Sequence, residues 1–404
     1  MSSFPQDASR PDPSTFNSRE AMERLNQDAA HLHIWIRTQA NQPAQAPWCH
    51  DAARGLMGDT TSGRVGAGQL KALAHRWSWT EIAPYLDRIA SIARSADVSP
   101  LEFAERQQLL LVNPGFAGRL QIGNSIRCAV SIYNPGDRAP VHVHTPNASR
   151  TILSEGGGYT TVDGERCDTH RGDLILTPSG AWHGHGNDGS EATVWVDVLD
   201  WPLLEFLDCI WLDRAEPTGE STGVTGTPSG PVRESARMYG YGGMLPGFAS
   251  HRHDIGCDYT PMVHYQGDKI RDALRALRDQ IGDPYEGITI KFVNPTTGGP
   301  IFPTLDYSAI LLRPGEETQL KRETSSTLFI VMEGHGTTEV GGKPLNWEVN
   351  DILVAPSFLW RRHINRGETD AILYAISDRA LMQKIGQYRA QGRLSSGGAV
   401  DVSS

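Results

Sequence analysis

Residues 140–150 read PVHVHTPNASR, and residues 172–187 read GDLILTPSGAWHGHGN. In an extended strand, residues i and i+2 share a face. His142 and His144 therefore project side by side, and His183 and His185 form a second such pair. Both stretches read as a strand followed by a turn, about 40 residues apart. That separation suffices to bring them face to face within one small β domain. Three neutral imidazoles converging on a point make a site for a first-row transition metal, because imidazole suits iron, copper, zinc and nickel.

Outward from these stretches the sequence has the period of an all-β domain. From about residue 101, the runs LLLVNPG, CAVSIYNPGD, SRTILSEGGG, YTTVDGE, GDLILTPSG and EATVWVDVLD alternate with Gly/Pro/Asn/Asp turns. Strands this short and regularly punctuated predict an antiparallel sandwich or barrel. The pattern then returns. NPGDRAPVHVHTPNASRTILSEGGGYTTVDGE aligns with RPGEETQLKRETSSTLFIVMEGHGTTEVGGK, and GDLILTPSGAWHGHGN aligns with NDILVAPSFLWRRHIN. The offset of about 178 residues is too long for a solenoid and marks a duplicated domain. Where the first copy has His142, His144 and His183, the second has Lys321, Glu323 and Arg361, and only His363, opposite His185, survives. Two cations in place of imidazoles repel a divalent metal. The second copy is therefore expected to be metal-free and structural.

Ahead of the first copy, SREAMERLNQDAAHLHIWI and SWTEIAPYLDRIASIARSA space their apolar residues as helices do, with Ser18 and Ser78 or Thr80 near their starts. Between the copies, residues 213–260 are rich in Gly, Ser, Thr and Pro and read as a linker, followed by an amphipathic helix in HYQGDKIRDALRALRDQI. His251 and His253 in this linker have no partner segment and read as non-ligands. His31 and His33 sit on the first helical stretch, where i and i+2 do not share a face. The net charge of −10 argues against nucleic acid as a partner, so an anionic ligand would need local arginines. No apolar run reaches membrane-spanning length, and MSSFPQDASRPDPSTF lacks the pattern of a secretory signal. The five cysteines are scattered and never in C-x-x-C, which argues against a disulfide scaffold or zinc ribbon and for a reducing cytoplasm.

The spacing of the glycines and prolines adds a family resemblance. Gly136 lies six residues before His142, and Gly172, Pro178, Gly180, His183 and Asn187 fall at G-x5-P-x-G-x2-H-x3-N. These resemble the two cupin motifs, the second one complete. Cupins commonly place a glutamate four or five residues after the H-x-H. Here those positions hold Ala148 and Ser149, and Arg150 follows, which leaves an all-histidine triad. The H-x-H-T…N-A-x-R run, EGGGYTTVDGE and TPSGAWHGHGN resemble the gentisate/salicylate/1-hydroxy-2-naphthoate 1,2-dioxygenases. The likeness extends into the second copy (VNPTTGGPIFPT, TSSTLFIVMEGHGTTEVGG, APSFLW) and covers roughly residues 100–385. The resemblance implies a mainly β bicupin of two double-stranded β-helix (jelly-roll) barrels. The expected divisions are a helical arm (1–100), a metal-binding cupin domain (101–212), a linker with a short helix (213–280), a metal-free second cupin domain (281–385) and a tail (386–404). It further implies that His142, His144 and His183 bind Fe(II), that Arg150 and His185 contact substrate, and that the chain forms a homotetramer.

Elementary chemistry is consistent with those roles. A 2-hydroxybenzoate presents a carboxylate and a phenolate oxygen to one metal. Three protein ligands leave three of six octahedral positions, two for that chelate and one for dioxygen. Arg150 carries a planar fork suited to a carboxylate. His185 is placed to exchange the phenolic proton, and Asp197 is a candidate to orient it or a ligand histidine. Arg127 stands where family members often carry an aromatic residue. If it points inward, it would pair with an extra acidic or electron-rich substituent such as nitro or carboxyl. Arg106 resembles a family arginine that precedes the first strand. Val143 replaces a family arginine but faces away from its histidine neighbours. The expected function is an Fe(II) dioxygenase that uses O2 to open gentisate, salicylate, a nitro- or aminosalicylate, or 1-hydroxy-2-naphthoate between the carboxyl- and hydroxyl-bearing carbons. A metal-dependent cupin isomerase and a non-catalytic aromatic-acid-binding bicupin are the alternatives. Anaerobic turnover tests the first and metal analysis the second.

Overall fold

The alternation of residues in CAVSIY and TVWVDVL builds the wall of the first barrel. In the computed structural model, which describes residues 18–37, 72–94, 107–116, 118–214, 235–245 and 259–403, the chain opens with α1 (Ser18–Ala29), β1 (Ile34–Arg37), β2 (His75–Trp77) and α2 (Trp79–Arg94). The first barrel follows as β3 (Gln108–Leu111), β4 (Arg127–Tyr133), β5 (Arg138–His144), β6 (Ala148–Ile152), β7 (Gly158–Val162), β8 (Glu165–Asp168), β9 (Leu174–Thr177), β10 (His183–Asn187) and β11 (Thr193–Leu199). Then come α3 (Trp201–Phe206), β12 (Leu212–Arg214), α4 (Ser235–Tyr239), β13 (His264–Tyr265) and α5 (Gly267–Ala276). One sheet runs β1-β3-β4-β11-β6-β9-β13 and the other β12-β5-β10-β7-β8.

On β4, Cys128, Val130 and Ile132 point to the hydrophobic core, while Arg127, Ala129, Ser131 and Tyr133 point to the barrel interior. β11 divides likewise, with Val196 and Val198 on the core and Trp195, Asp197 and Leu199 inside. The same core takes Ile82, Leu86, Ile89 and Ala90 from α2 and Ala21, Leu25 and Ala29 from α1, at the i, i+4 spacing of one helix face. It continues into the second barrel through Ile330, Val354 and Ile376. Polar bonds also join the barrels: Tyr307 donates to Ser149 Oγ at 2.8 Å, and Ser125 Oγ donates to the Asp378 carboxylate at 2.6 Å.

The duplication is preserved element by element. β10 maps onto Arg361–Asn365, β11 onto Ala371–Ser377 and α3 onto Arg379–Lys384, each 178 residues later. In the second barrel, Asp306–Leu312, Ala371–Ser377, Thr327–Glu333 and Ile352–Ala355 form one sheet, edged by Ile288–Lys291 on one side and β2 on the other. The motif glycines occupy turns that favour glycine: Gly172 has φ +88° and Gly180 has φ +77°. The motif Asn187 acts as a clamp, with its Nδ2 donating to the carbonyls of Tyr133 and Glu191.

Three features differ from the sequence reading. The first helix stops at Ala29, and HLHIWI does not extend it; His33 takes a left-handed conformation (φ 56°) and the β-branched run that follows pairs with β3. The stretch after residue 385 is more than a tail, because Ala390–Arg393 and Ala399–Asp401 extend the second sheet of the second barrel. The arm is also more than helical, since β1 extends a sheet of the first barrel and β2 one of the second. The linker helix is found as α5, with Ile270 and Leu274 buried. His251 and His253 lie outside the described residues.

Candidate metal centre and substrate cavity

Two adjacent strands supply the histidines. β10 pairs antiparallel with β5, and the register places His183 opposite His142. The ring centroids of His142 and His183 are 4.3 Å apart, those of His144 and His183 4.7 Å, and those of His142 and His144 5.7 Å. Each ring is pinned in the same way. Nδ1 of His142, His144 and His183 lies 2.8–2.9 Å from the carbonyl of Pro140, Pro146 and Ala181 respectively. A carbonyl can only accept, so Nδ1 carries the hydrogen on all three rings and Nε2 is the lone-pair nitrogen. His183 Nε2 is buried and has no hydrogen-bond partner. An orphaned buried acceptor is costly unless something occupies it, and a metal ion fits that need. Burial, with His142 and Arg150 nearby, pushes His144 down to about 3. Burial and the neighbouring imidazoles also hold His183 well below the usual histidine range. Both rings are neutral at pH 7, the form that ligates a metal.

His185 stands differently, although it belongs to the same cluster. Among the described residues, the donor atoms of His142, His183 and His185 form a three-histidine group within 4.8 Å of one another. Proximity alone would thus substitute His185 for the expected His144. The hydrogen bonding argues otherwise. Arg150 Nη2 lies 2.9 Å from His185 Nε2, and a guanidinium can only donate, so it takes that nitrogen's lone pair. His185 Nδ1 then carries the hydrogen and donates to Thr160 Oγ1 at 3.0 Å. Both ring nitrogens are engaged, one of them by a cation. His185 becomes a ligand only if Arg150 leaves. Burial and the adjacent Arg150 charge hold His185 well below the usual range, so it is neutral.

Arg150 lies on β6, 5% exposed, and also donates to Thr177 Oγ1 at 3.0 Å. Its Nε is 3.3 Å from Asp197, a charge contact without hydrogen-bond alignment. Asp197 faces Arg150 across the β11–β6 pairing and reaches no imidazole. It is gripped by the Ser131 hydroxyl, Trp195 Nε1 (3.1 Å) and Gln108 Nε2 (3.4 Å). The expected carboxylate partner of a histidine is instead the partner of Arg150. Burial raises the Asp197 pKa, and Arg150 opposes that shift.

These groups meet in one cavity, lined by His142, His144, Arg150, His185, Asp197 and Arg127 among others. Arg127 therefore points inward. Arg106 lies outside the described residues. Arg214, Ser131 and Tyr133 also line the cavity and were missed from sequence. For Ser131 and Tyr133 a signal existed, the i+2 series starting at Arg127. Chain-wide acidity does not carry into the cavity, which gathers three arginines around one carboxylate already paired with Arg150.

In the second barrel the equivalent positions hold an ion cluster. Glu286, from the loop before that barrel, accepts from Lys321 Nζ and Arg361 Nη2, each at 2.9 Å. Glu323 bonds Arg361 at 2.5 Å and accepts from Tyr388 at 3.0 Å. Burial opposes the charge of Glu286, yet Arg361 and Lys321 hold its carboxyl well below the usual range. The Thr160–His185 pair persists as Thr338–His363, with Thr338 Oγ1 2.9 Å from His363 Nδ1. Phe329 stands where Arg150 would be, its ring centroid 4.8 Å from that of His363.

Two jelly-roll barrels, one with a histidine cluster beside a buried arginine, define a bicupin metalloprotein. The cupin domain family matches residues 129–199 and 309–377. The chain is 34% identical over 325 residues to the 5-aminosalicylate 1,2-dioxygenase of Comamonas sp, covering 80% of this chain and 82% of that protein. It is 34% identical over 316 residues to gentisate 1,2-dioxygenase 1 of Aquipseudomonas alcaligenes, covering 78% and 86%. The salicylate 1,2-dioxygenase of Pseudaminobacter salicylatoxidans superposes with a TM-score of 0.71 at 26% identity, covering 87% of this chain and 99% of that one. The chain belongs to the gentisate/salicylate/1-hydroxy-2-naphthoate 1,2-dioxygenase family of ring-cleaving bicupins.

Proposed function

We propose that this protein is an iron(II) dioxygenase that inserts both atoms of O2 between the carboxyl- and hydroxyl-bearing carbons of a 2-hydroxybenzoate-type acid. The observation that carries the reading is the division of labour among four clustered histidines. Three are pinned through Nδ1 to backbone carbonyls, while the fourth is held between Thr160 and Arg150. His142, His144 and His183 would hold the iron, which supplies the one-electron chemistry that lets O2 react with a closed-shell aromatic ring.

The rest falls to the chain's own side chains. Arg150 is placed to take the substrate carboxylate in its fork. As it turns toward that carboxylate, its hold on His185 Nε2 loosens, and the neutral imidazole can accept the phenolic proton. Thr160 fixes the ring so that Nε2, not Nδ1, is the nitrogen offered. Asp197, clasped by Ser131 and Trp195, keeps the guanidinium in position. The lining aromatics and aliphatics exclude water from the ring, and the local excess of arginine attracts an anion to an otherwise acidic protein. Of the described cysteines, Cys128, Cys167 and Cys209 are in no disulfide, which supports a reducing cytoplasm as the working place. No helix among the described residues is long and apolar enough to cross a membrane.

The test is oxygen uptake by iron-loaded protein against salicylate, gentisate, their substituted analogues and 1-hydroxy-2-naphthoate, with ultraviolet spectra of the products. The expected result is one O2 consumed per acid and a ring-opened dicarboxylate. Turnover without O2 would favour an isomerase. Tight binding of the acids without turnover would favour a binding protein.

A further inference from the structure

One partly buried cation of the cavity has no task in the ring opening. Arg127 opens β4 on the same face as Ala129, Ser131 and Tyr133, with its side chain 11% exposed. Its Nε donates to the Leu120 carbonyl at 3.0 Å, and its guanidinium carbon sits 4.6 Å from the centroid of the Trp201 ring. Those contacts fix where the guanidinium lies but do not neutralise it. The carboxylate near it is Glu205, with Oε2 3.7 Å from Nη2, too far for a hydrogen bond, on a side chain 66% exposed. Among the described residues, no acceptor takes either terminal nitrogen at hydrogen-bond distance. Asp197, also in the cavity, is committed to Arg150, Ser131 and Trp195. The guanidinium lines the cavity, so a ligand acceptor placed there meets its terminal nitrogens in a charge-assisted hydrogen bond. Burial lowers the Arg127 pKa to about 10, with Glu205 opposing, so the group stays charged at pH 7.

Register places this cation relative to the reacting groups. Arg150 pairs with Asp197 across β11–β6, and Arg127 pairs with Leu199 across β11–β4. Leu199 is two residues on from Asp197, about 7 Å along the strand, and β4 and β6 flank β11 about 10 Å apart, so the two arginine backbones are about 12 Å apart, a gap that their long side chains and a substituted benzene ring fill between them. An acid whose carboxylate meets Arg150 and whose reacting carbons face the histidines thus sends its remote edge toward Trp201 and Arg127.

Resting on the dioxygenase reading, we propose that Arg127 makes the cavity selective for 2-hydroxybenzoates that carry a second oxygen-acceptor group, carboxylate or nitro, on the ring edge remote from the histidines. Trp201 backs the guanidinium and orients its fork. An amino group at the same ring position is a poor acceptor and leaves the cation unsatisfied, so aminosalicylate is a disfavoured substrate. Arg127 is a specificity-determining residue and takes no part in bond breaking.

The experiment compares kcat/KM for salicylate, 5-aminosalicylate, 5-nitrosalicylate and 5-carboxysalicylate, using iron-loaded wild type, Arg127→Gln and Arg127→Met. Wild type should prefer the carboxy and nitro acids over salicylate by about ten- to a hundredfold, the range of a charge-assisted hydrogen bond. In both variants that preference should collapse toward one. Each preference is a ratio within one preparation, so a partly folded variant does not blur it. Equal preference in wild type and variants, or a wild type that favours salicylate or the amino acid, would overturn the proposal. If wild type opens none of these rings, oxygen uptake with gentisate and 1-hydroxy-2-naphthoate decides on the dioxygenase reading, which fails when those rings stay closed too. Anaerobic calorimetry of the same acids would then still decide on Arg127: tighter binding of the carboxy and nitro acids supports it, and equal binding overturns it.

Discussion

Replacing Arg150 by alanine is expected to lower kcat/KM by roughly two to three orders of magnitude while leaving a full equivalent of metal in the protein. Truncating one member of a buried, hydrogen-bonded charge pair typically costs about 2–5 kcal/mol. Here the loss is twofold. The substrate carboxylate loses its bidentate partner, and His185 loses the group that occupies its Nε2. Asp197, 3% exposed, is left as a buried carboxylate with only neutral donors, so thermal stability should fall as well. Arg150→Lys should rescue little, because an ammonium has no planar fork. Steady-state kinetics combined with metal analysis checks this. Loss of metal together with activity would place Arg150 in a structural role, and an unchanged KM would remove it from substrate recognition.

The second large effect lies away from the chemistry. Glu286→Gln leaves Lys321 and Arg361 buried with Glu323 as the remaining carboxylate of their cluster. The four side chains are between 5% and 15% exposed, so solvent screens them little. Breaking such a network by removing one partner costs about 3–5 kcal/mol, which for a chain of 404 residues lowers the melting temperature by roughly 3–6 °C. Metal content in the first barrel should not change. Adding Lys321→Met to Glu286→Gln removes one charge of each sign and should recover part of the loss, since apolar replacement of a buried pair is often neutral. Equal stability of wild type and Glu286→Gln would mean the cluster does not hold the second barrel together.

Much of this organisation was legible in the sequence. The period-2 pattern and the glycine-punctuated turns carry the two barrels, and the 178-residue offset carries the duplication. The i, i+2 spacing of each histidine pair was legible as a shared strand face, while the register that sets His183 opposite His142 joins strands about 40 residues apart and needed the fold. What escaped depends on contacts distant in sequence. Glu286 lies outside the aligned strands and meets Lys321 only after the second barrel closes, so no comparison of the copies reveals it. The partner of Asp197 is decided by which neighbour β11 takes. Pairing with β6 turns it toward Arg150, 47 residues earlier in the chain. Ala390–Arg393 and Ala399–Asp401 are four and three residues long; the first buries only Ala390 and Gly392 and the second is exposed throughout, so neither has a hydrophobic alternation to read. HLHIWI is ambiguous between a helix end and a strand until β3 is present to pair with it.

In the proposed centre His144, and not His185, is the third iron ligand beside His142 and His183. The direct measurement is the iron stoichiometry of His144→Ala and His185→Ala, each loaded anaerobically with Fe(II) and desalted. His144→Ala should retain far less than one iron per chain and show no turnover. His185→Ala should retain about one, with kcat reduced by roughly two to four orders of magnitude for want of its acid–base group. Full iron in His144→Ala and none in His185→Ala would contradict the account.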